Sequence, residues 1–130
     1  MKKQIMNKAW EIARKAASRF GGSAVDFFAE ALRMAWKEAK IAALEAKGFK
    51  RWQKGTMDRL YVNAPVLGLE CEYYRTGNIY RATFQGALIS NSEGYRIKNA
   101  KTYIDVKTWK VFSDHKWCKE AAAQLAGIRI

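Results

Sequence analysis

Apolar positions in the first third of the chain recur at steps of three and four. Between Ser23 and Lys47 they fall at Val25, Phe28, Leu32, Ala35, Ala39, Ala42 and Ala46, and Phe27, Ala31, Met34 and Ile41 widen the stripe. Asp26, Glu30, Arg33, Lys37, Lys40 and Lys47 take the opposite side. This period predicts an amphipathic helix, about 35 Å long at ~1.5 Å per residue. Ser23 with Asp26 predicts a capping-box start and Gly48 a stop. An earlier stretch, Lys2 to Phe20, places Ile5, Ala9, Ile12 or Ala13, Ala16 and Phe20 on one face. Only Gly21-Gly22 separates the two stretches, so they are expected to lie antiparallel. The pattern predicts a helical hairpin over residues 1–48 whose apolar face docks on the C-terminal remainder of the chain.

The period then changes. Residues 49–57 carry two aromatics and three bases without alternation, and read as a basic-aromatic linker. Residues 58–130 read as a β-rich half. Asp58–Asn63 predicts a strand with Leu60 and Val62 on one side, and Ala64–Gly68, around the single proline, a turn or one helical turn. Leu69–Arg75 and Ile79–Gln85 alternate on either side of Thr76-Gly77-Asn78, the signature of a β-hairpin. Ser90-Asn91-Ser92-Glu93 fits a capping box before a short helix reaching Ala100. Tyr103–Val106 and Val111-Phe112 predict two strands around a turn at Lys107–Lys110. Ser113 or Asp114 is expected to cap a last helix, with Trp117, Ala121 and Leu125 on one face and Gly127 as its stop. The expected fold class is α+β: one domain, an antiparallel helical hairpin packed with a small antiparallel sheet that bears a short helix and a C-terminal helix.

Composition adds a partner class. The chain has 24 Lys and Arg against 12 Asp and Glu, a net charge of +12 in 130 residues. Such an excess favours polyanions. No apolar run approaches the ~20 residues of a membrane span, and the basic start is not followed by the apolar core of a signal peptide. Two cysteines are too few for a disulfide framework. A cytoplasmic protein with reduced thiols and no membrane partner is expected.

Two basic-aromatic constellations stand out. The first is Lys47, Lys50, Arg51, Trp52, Lys54 and Arg59. Lys and Arg neutralise phosphates and release counterions, and an interleaved Trp stacks on a base or ribose. Alternatively, Phe49 and Trp52 pin the linker to the core and the bases are merely solvated. The second is Lys107, Trp109 and Lys110, where Trp109 either meets a partner or folds back over the sheet. A metal site is a thin prospect: His115 and Cys118 have H-x-x-C spacing and Cys71 is the only other thiol, whereas zinc usually takes four such ligands. No Gly-rich phosphate loop, nucleophile elbow or H-E-x-x-H occurs. Glu70 and Glu72 share a strand face but read as solvent-facing. The expectation is binding without catalysis and without a cofactor.

The stretch KAWEIARKAASRFGGSAVDFFAEALRMAWKEAK, with Trp10, Gly21-Gly22, Ala31-Leu32 and Ala35-Trp36, resembles the opening of small proteins from phages and conjugative elements of Firmicutes. The segments DRLYVNAPVLGLECEYYRTGNIYRATFQG and ISNSEGYRIKNAKTYIDV are similar to that set as well. Some small proteins of such elements are anti-CRISPR inhibitors, which bind a type II effector nuclease and block DNA loading or cleavage. The resemblance therefore implies a host CRISPR effector ribonucleoprotein as partner in the host cytoplasm, with binding to nucleic acid itself as the alternative. It carries no functional residue over.

Overall fold

In the computed structural model, which describes residues 2–129, the chain divides into two compact units with the boundary between Ala43 and Leu44. The first unit is built from α1 (Lys2–Phe20) and most of α2 (Ala24–Ala46). Gly21 and Gly22 both take positive φ, +84° and +88°, which glycine alone adopts without strain, and so reverse the chain in two residues. The Asp26 carboxylate accepts from the Ser23 N–H at 3.0 Å, half of the expected capping box. Ile5 and Ala9 of α1 meet Ala35 of α2, with Ile12, Phe28, Leu32 and Ala39 at the margins of this seam. Trp10 stacks on Phe28 at 4.2 Å. The expected stripe is broader than the seam: Phe20 and Val25 stay about 70% exposed (71% and 70%). Both lie at the turn end of the hairpin, where Phe20 meets the Phe27 ring of α2, with centroids 6.5 Å apart.

The second unit holds two antiparallel sheets. β1 (Lys50–Lys54), β2 (Met57–Val62), β6 (Thr102–Asp105) and β7 (Lys110–Ser113) form one, in the order β1-β2-β6-β7. β3 (Leu69–Tyr73), β4 (Ile79–Phe84) and β5 (Ala87–Ile89) form the other. The smaller sheet and two helices, α3 (Ala64–Leu67) and α4 (Asn91–Asn99), are inserted between β2 and β6, which are themselves neighbours. Pro65 at the start of α3 lacks an N–H and cannot extend β2, so the chain leaves the first sheet there. α4 packs on β4, and Gly94 permits the approach: a Cβ there would lie 2.8 Å from the Ala82 Cβ. α5 (Lys116–Ala126) packs on β6 and β7. Leu60, Ile104, Val111 and Val62 point inward from the larger sheet, with Phe49, Ile97 and Cys118 in the same buried set.

The expected linker is a correction. Residues 50–54 are the edge strand β1, joined to β2 by a two-residue turn with Gly55 at φ +60°. Its side chains are nearly all solvated, so hydrophobic alternation had no signal to give. The cap of α5 also differs. His115 is the N-cap: its Nδ1 accepts from the Trp117 N–H at 3.1 Å. Asp114 is occupied by the Lys101 N–H, and Ser113 by Thr102 and the His115 N–H. The buried face of α5 is Cys118, Ala121, Ala122 and Ala123, and Trp117 stays exposed. The Ser90 cap of α4 is as expected, its hydroxyl accepting from the Glu93 N–H at 3.1 Å. β5, three residues long, was not expected from the hydrophobic pattern.

Candidate nucleic-acid interface

Strand alternation sends every second side chain of the larger sheet to the face opposite the core. The register places Trp52 opposite Arg59 and Lys50 opposite Tyr61. Tyr61 faces Tyr103, and Arg59 faces Asp105. Tyr103 faces Phe112, and Asp105 faces Lys110. One face therefore carries Lys50, Trp52 and Lys54, then Met57, Arg59 and Tyr61, then Tyr103 and Asp105, then Lys110 and Phe112. An unbroken aromatic row crosses all four strands. Trp52 meets Tyr61 edge-on with ring centroids 6.1 Å apart, Tyr61 lies 5.2 Å from Tyr103, and Tyr103 stacks at 5.2 Å on Phe112.

Arg59 sits at the centre of this row. Its guanidinium lies over the Tyr103 ring at 4.3 Å and over Trp52 at 5.8 Å, and Nη1 donates to the Tyr61 hydroxyl at 2.9 Å. The hydrogen bond to Tyr61, and then the nearby Tyr103, Tyr61 and Asp105, hold its pKa above the ordinary arginine value. The planar cation is thus presented flat, in the pose that stacks on a base or meets a phosphate. The ends of the row are open: Trp52 is 39% and Phe112 43% exposed. Lys50, Lys54 and Lys110 flank the row in solvent. Asp105 is the one carboxylate on this face among the described residues, and its Oδ1 is engaged by the Lys107 N–H at 2.9 Å.

Five residues singled out from sequence thus come together here: Lys50, Trp52, Lys54, Arg59 and Lys110. The others go elsewhere. Arg51 points to the opposite face and clamps Asp58 through two bonds, 3.0 and 2.8 Å, with both side chains largely buried. Lys47 donates to the Leu125 carbonyl at 3.0 Å, at the end of α5. Lys107 is exposed on the β6–β7 turn. Trp109 ends that turn at φ +57°, half-buried at the β7 edge, its N–H donating to the Asp105 carbonyl at 2.6 Å. Tyr61, Tyr103 and Phe112 complete the row and were missed. Their signal was present: each adjoins core-facing residues in a strand, and strand parity sends it outward.

Among the described residues, no group of three potential metal ligands converges, so His115 and Cys118 gain no third. Both ring nitrogens of His115 are committed, Nδ1 to the Trp117 N–H and Nε2 to the Glu93 carboxylate. Because Nδ1 accepts, Nε2 carries the proton and donates to Glu93. Glu70 and Glu72 lie exposed on β3, as expected. No helix among the described residues is long and apolar enough to cross a membrane.

Cys118 is fully buried, and desolvation pushes its thiol pKa up, a hydrogen bond with Thr102 offsetting part of this. Cys71 is half-buried and unpaired. A thiolate is the reactive form, so a disulfide reagent should modify Cys71 alone in the native protein and Cys118 only after denaturation. Release of chromophore from both thiols at similar rates in buffer would contradict the buried position of Cys118.

Residues 5–73 match the family model of the Streptococcus thermophilus bacteriophage Gp111 protein. The match covers more than half of the 130 residues and runs from α1 into β3. It agrees with the phage resemblance of the sequence at the level of a small phage protein. No curated protein and no solved structure matches.

Proposed function

The chain belongs to the Streptococcus thermophilus bacteriophage Gp111 protein family, and from that premise we propose that it is a non-enzymatic phage protein that binds single-stranded nucleic acid on the outer face of its four-stranded sheet. The observation that carries the reading is the row Trp52–Tyr61–Tyr103–Phe112 with Arg59 stacked at its centre and lysines on its flanks. Bases offer π-faces only when unpaired, so exposed rings on a sheet suit a single strand better than a duplex. The lysines supply the sequence-independent phosphate contacts. The host cytoplasm is where such a protein acts.

Titration of a labelled single-stranded oligonucleotide by fluorescence anisotropy tests this. Log affinity should fall linearly with log salt, with a slope near −3 if four cations each contribute about 0.7. A duplex of equal length should bind more weakly. No binding at low salt, or preference for the duplex, sinks the reading.

The resemblance to small proteins of phages and conjugative elements, some of which are anti-CRISPR inhibitors, supports a second reading, in which the partner is a type II effector ribonucleoprotein. The charge of +12 narrows how that inhibition would work. A channel built for nucleic acid is itself cationic and repels this protein, so contact runs through the guide or target strand. A pull-down with and without guide RNA separates the two readings. Capture only of the guide-loaded effector favours inhibition, and capture of naked strands alone favours direct binding of nucleic acid.

A further inference from the structure

The aromatic row does not stop at Phe112. Beyond it, at the β7 edge, lies an open cavity of about 360 Å³ lined by Trp109, Lys110, Val111, Phe112, Lys119 and Arg129. Phe112 and Lys110 belong at once to the sheet face and to this cavity. Its far wall comes from α5 and the chain after it, through Lys119 and Arg129. Among the described residues, no carboxylate pairs with Lys110, Lys119 or Arg129. Trp109 is held at this wall in a left-handed conformation, which for a bulky side chain costs about 1–2 kcal/mol. Such an outlier at a cavity points to use and not to folding convenience.

We propose that this cavity is an edge subsite that takes one further nucleotide of the bound strand as the strand turns off the sheet. This rests on the reading of the sheet face as a single-strand binding surface and extends it. The base lies against the rings of Phe112 and Trp109, and the phosphodiester meets Lys110, Lys119 and Arg129. A volume at the low end of the small-ligand range of about 300–1,000 Å³ suits one nucleotide and not several. The sheet itself, four strands at ~4.8 Å spacing, spans only about 14 Å from β1 to β7. Four-stranded sheets of this kind stack about two or three bases, so a longer strand has to leave the face at one of its edges. The phosphodiester is common to DNA and RNA, and the cavity does not distinguish them.

The test compares a thymidine trimer, a thymidine octamer and a uridine octamer, each titrated into the labelled full chain and followed by backbone amide NMR. The trimer should shift the sheet face, Trp52, Arg59, Tyr61 and Tyr103 among it, and leave Trp109, Lys119 and Arg129 unmoved. An octamer should shift these and also Trp109, Lys119 and Arg129, and a response to only one of the two octamers assigns the sugar. In the Lys119→Gln/Arg129→Gln variant, whose changes are at exposed positions, trimer affinity should stay within about twofold. The salt slope for the responding octamer should fall by about 1.4, or 0.7 per lost contact. Lys119→Arg should behave as the parent. Octamer binding that moves the sheet but leaves Lys119 and Arg129 unmoved overturns the edge subsite and leaves the sheet reading standing. No shift with any oligonucleotide overturns both.

Discussion

Replacing Trp52 or Phe112 with alanine should weaken single-strand binding by roughly 5- to 150-fold each, from about 1–3 kcal/mol per stacked base. Both rings lie at the open ends of the aromatic row, and neither contributes to the core. The loss should therefore come without a change in fold, visible as an unaltered circular dichroism spectrum and melting curve. Arg59→Lys is the sharper variant. Lysine keeps the charge but cannot lie flat over Tyr103 or hold the Tyr61 hydroxyl in the same pose. If Arg59 acts as a stacked plane, affinity should drop while the salt slope stays near the parental value. If it acts only as a charge, Arg59→Lys should bind as the parent does. Retention of full affinity in both Trp52→Ala and Phe112→Ala would remove the sheet face as the binding surface.

The second large effect is on stability. Phe49→Ala should cost about 3–5 kcal/mol, the usual range for deleting a buried aromatic side chain. Phe49 is 2% exposed and fixes the chain just before β1, where the edge strand has no other apolar anchor. At about 4–8 °C per kcal/mol for a unit of this size, the melting temperature should fall by more than about 12 °C. Trp52→Ala, three residues on, should shift it by less than about 1 kcal/mol equivalent. Thermal melts of the two variants separate pinning from binding, the alternatives that the sequence left open for Trp52. Similar losses in both would mean that Trp52 is structural as well.

Where the sequence was readable, one physical signal dominated. Helix α2 showed period, cap and stop together, α1 a period and a glycine stop, α4 a capping box, and the turn between β3 and β4 its turn residues. Strand β1 was unreadable because it buries nothing on either face: its one inward anchor is the Arg51–Asp58 ion pair, and charge carries no alternation. The cap of α5 was misassigned for a different reason. Ser113 and Asp114 are good caps, but both were already committed to backbone and side-chain partners from residues 101 and 102, which adjoin them only in the folded sheet. Of the residues singled out for binding, Arg51 and Lys47 were drawn away in the same manner, by Asp58 and by the end of α5.

By itself, the order of residues determined the helices, the strands that bury one face, the cationic excess and the aromatic supply, because each depends on neighbours within a few positions. Tertiary structure alone decided which of those cations and rings share a surface. β1 and β2 had to pair with β6 and β7, across an inserted sheet of three strands, before Trp52, Arg59, Tyr61, Tyr103 and Phe112 could stand in one row. Register between distant strands is set by which side chains the core accepts. A one-residue slip would bury the row and expose Leu60 and Ile104.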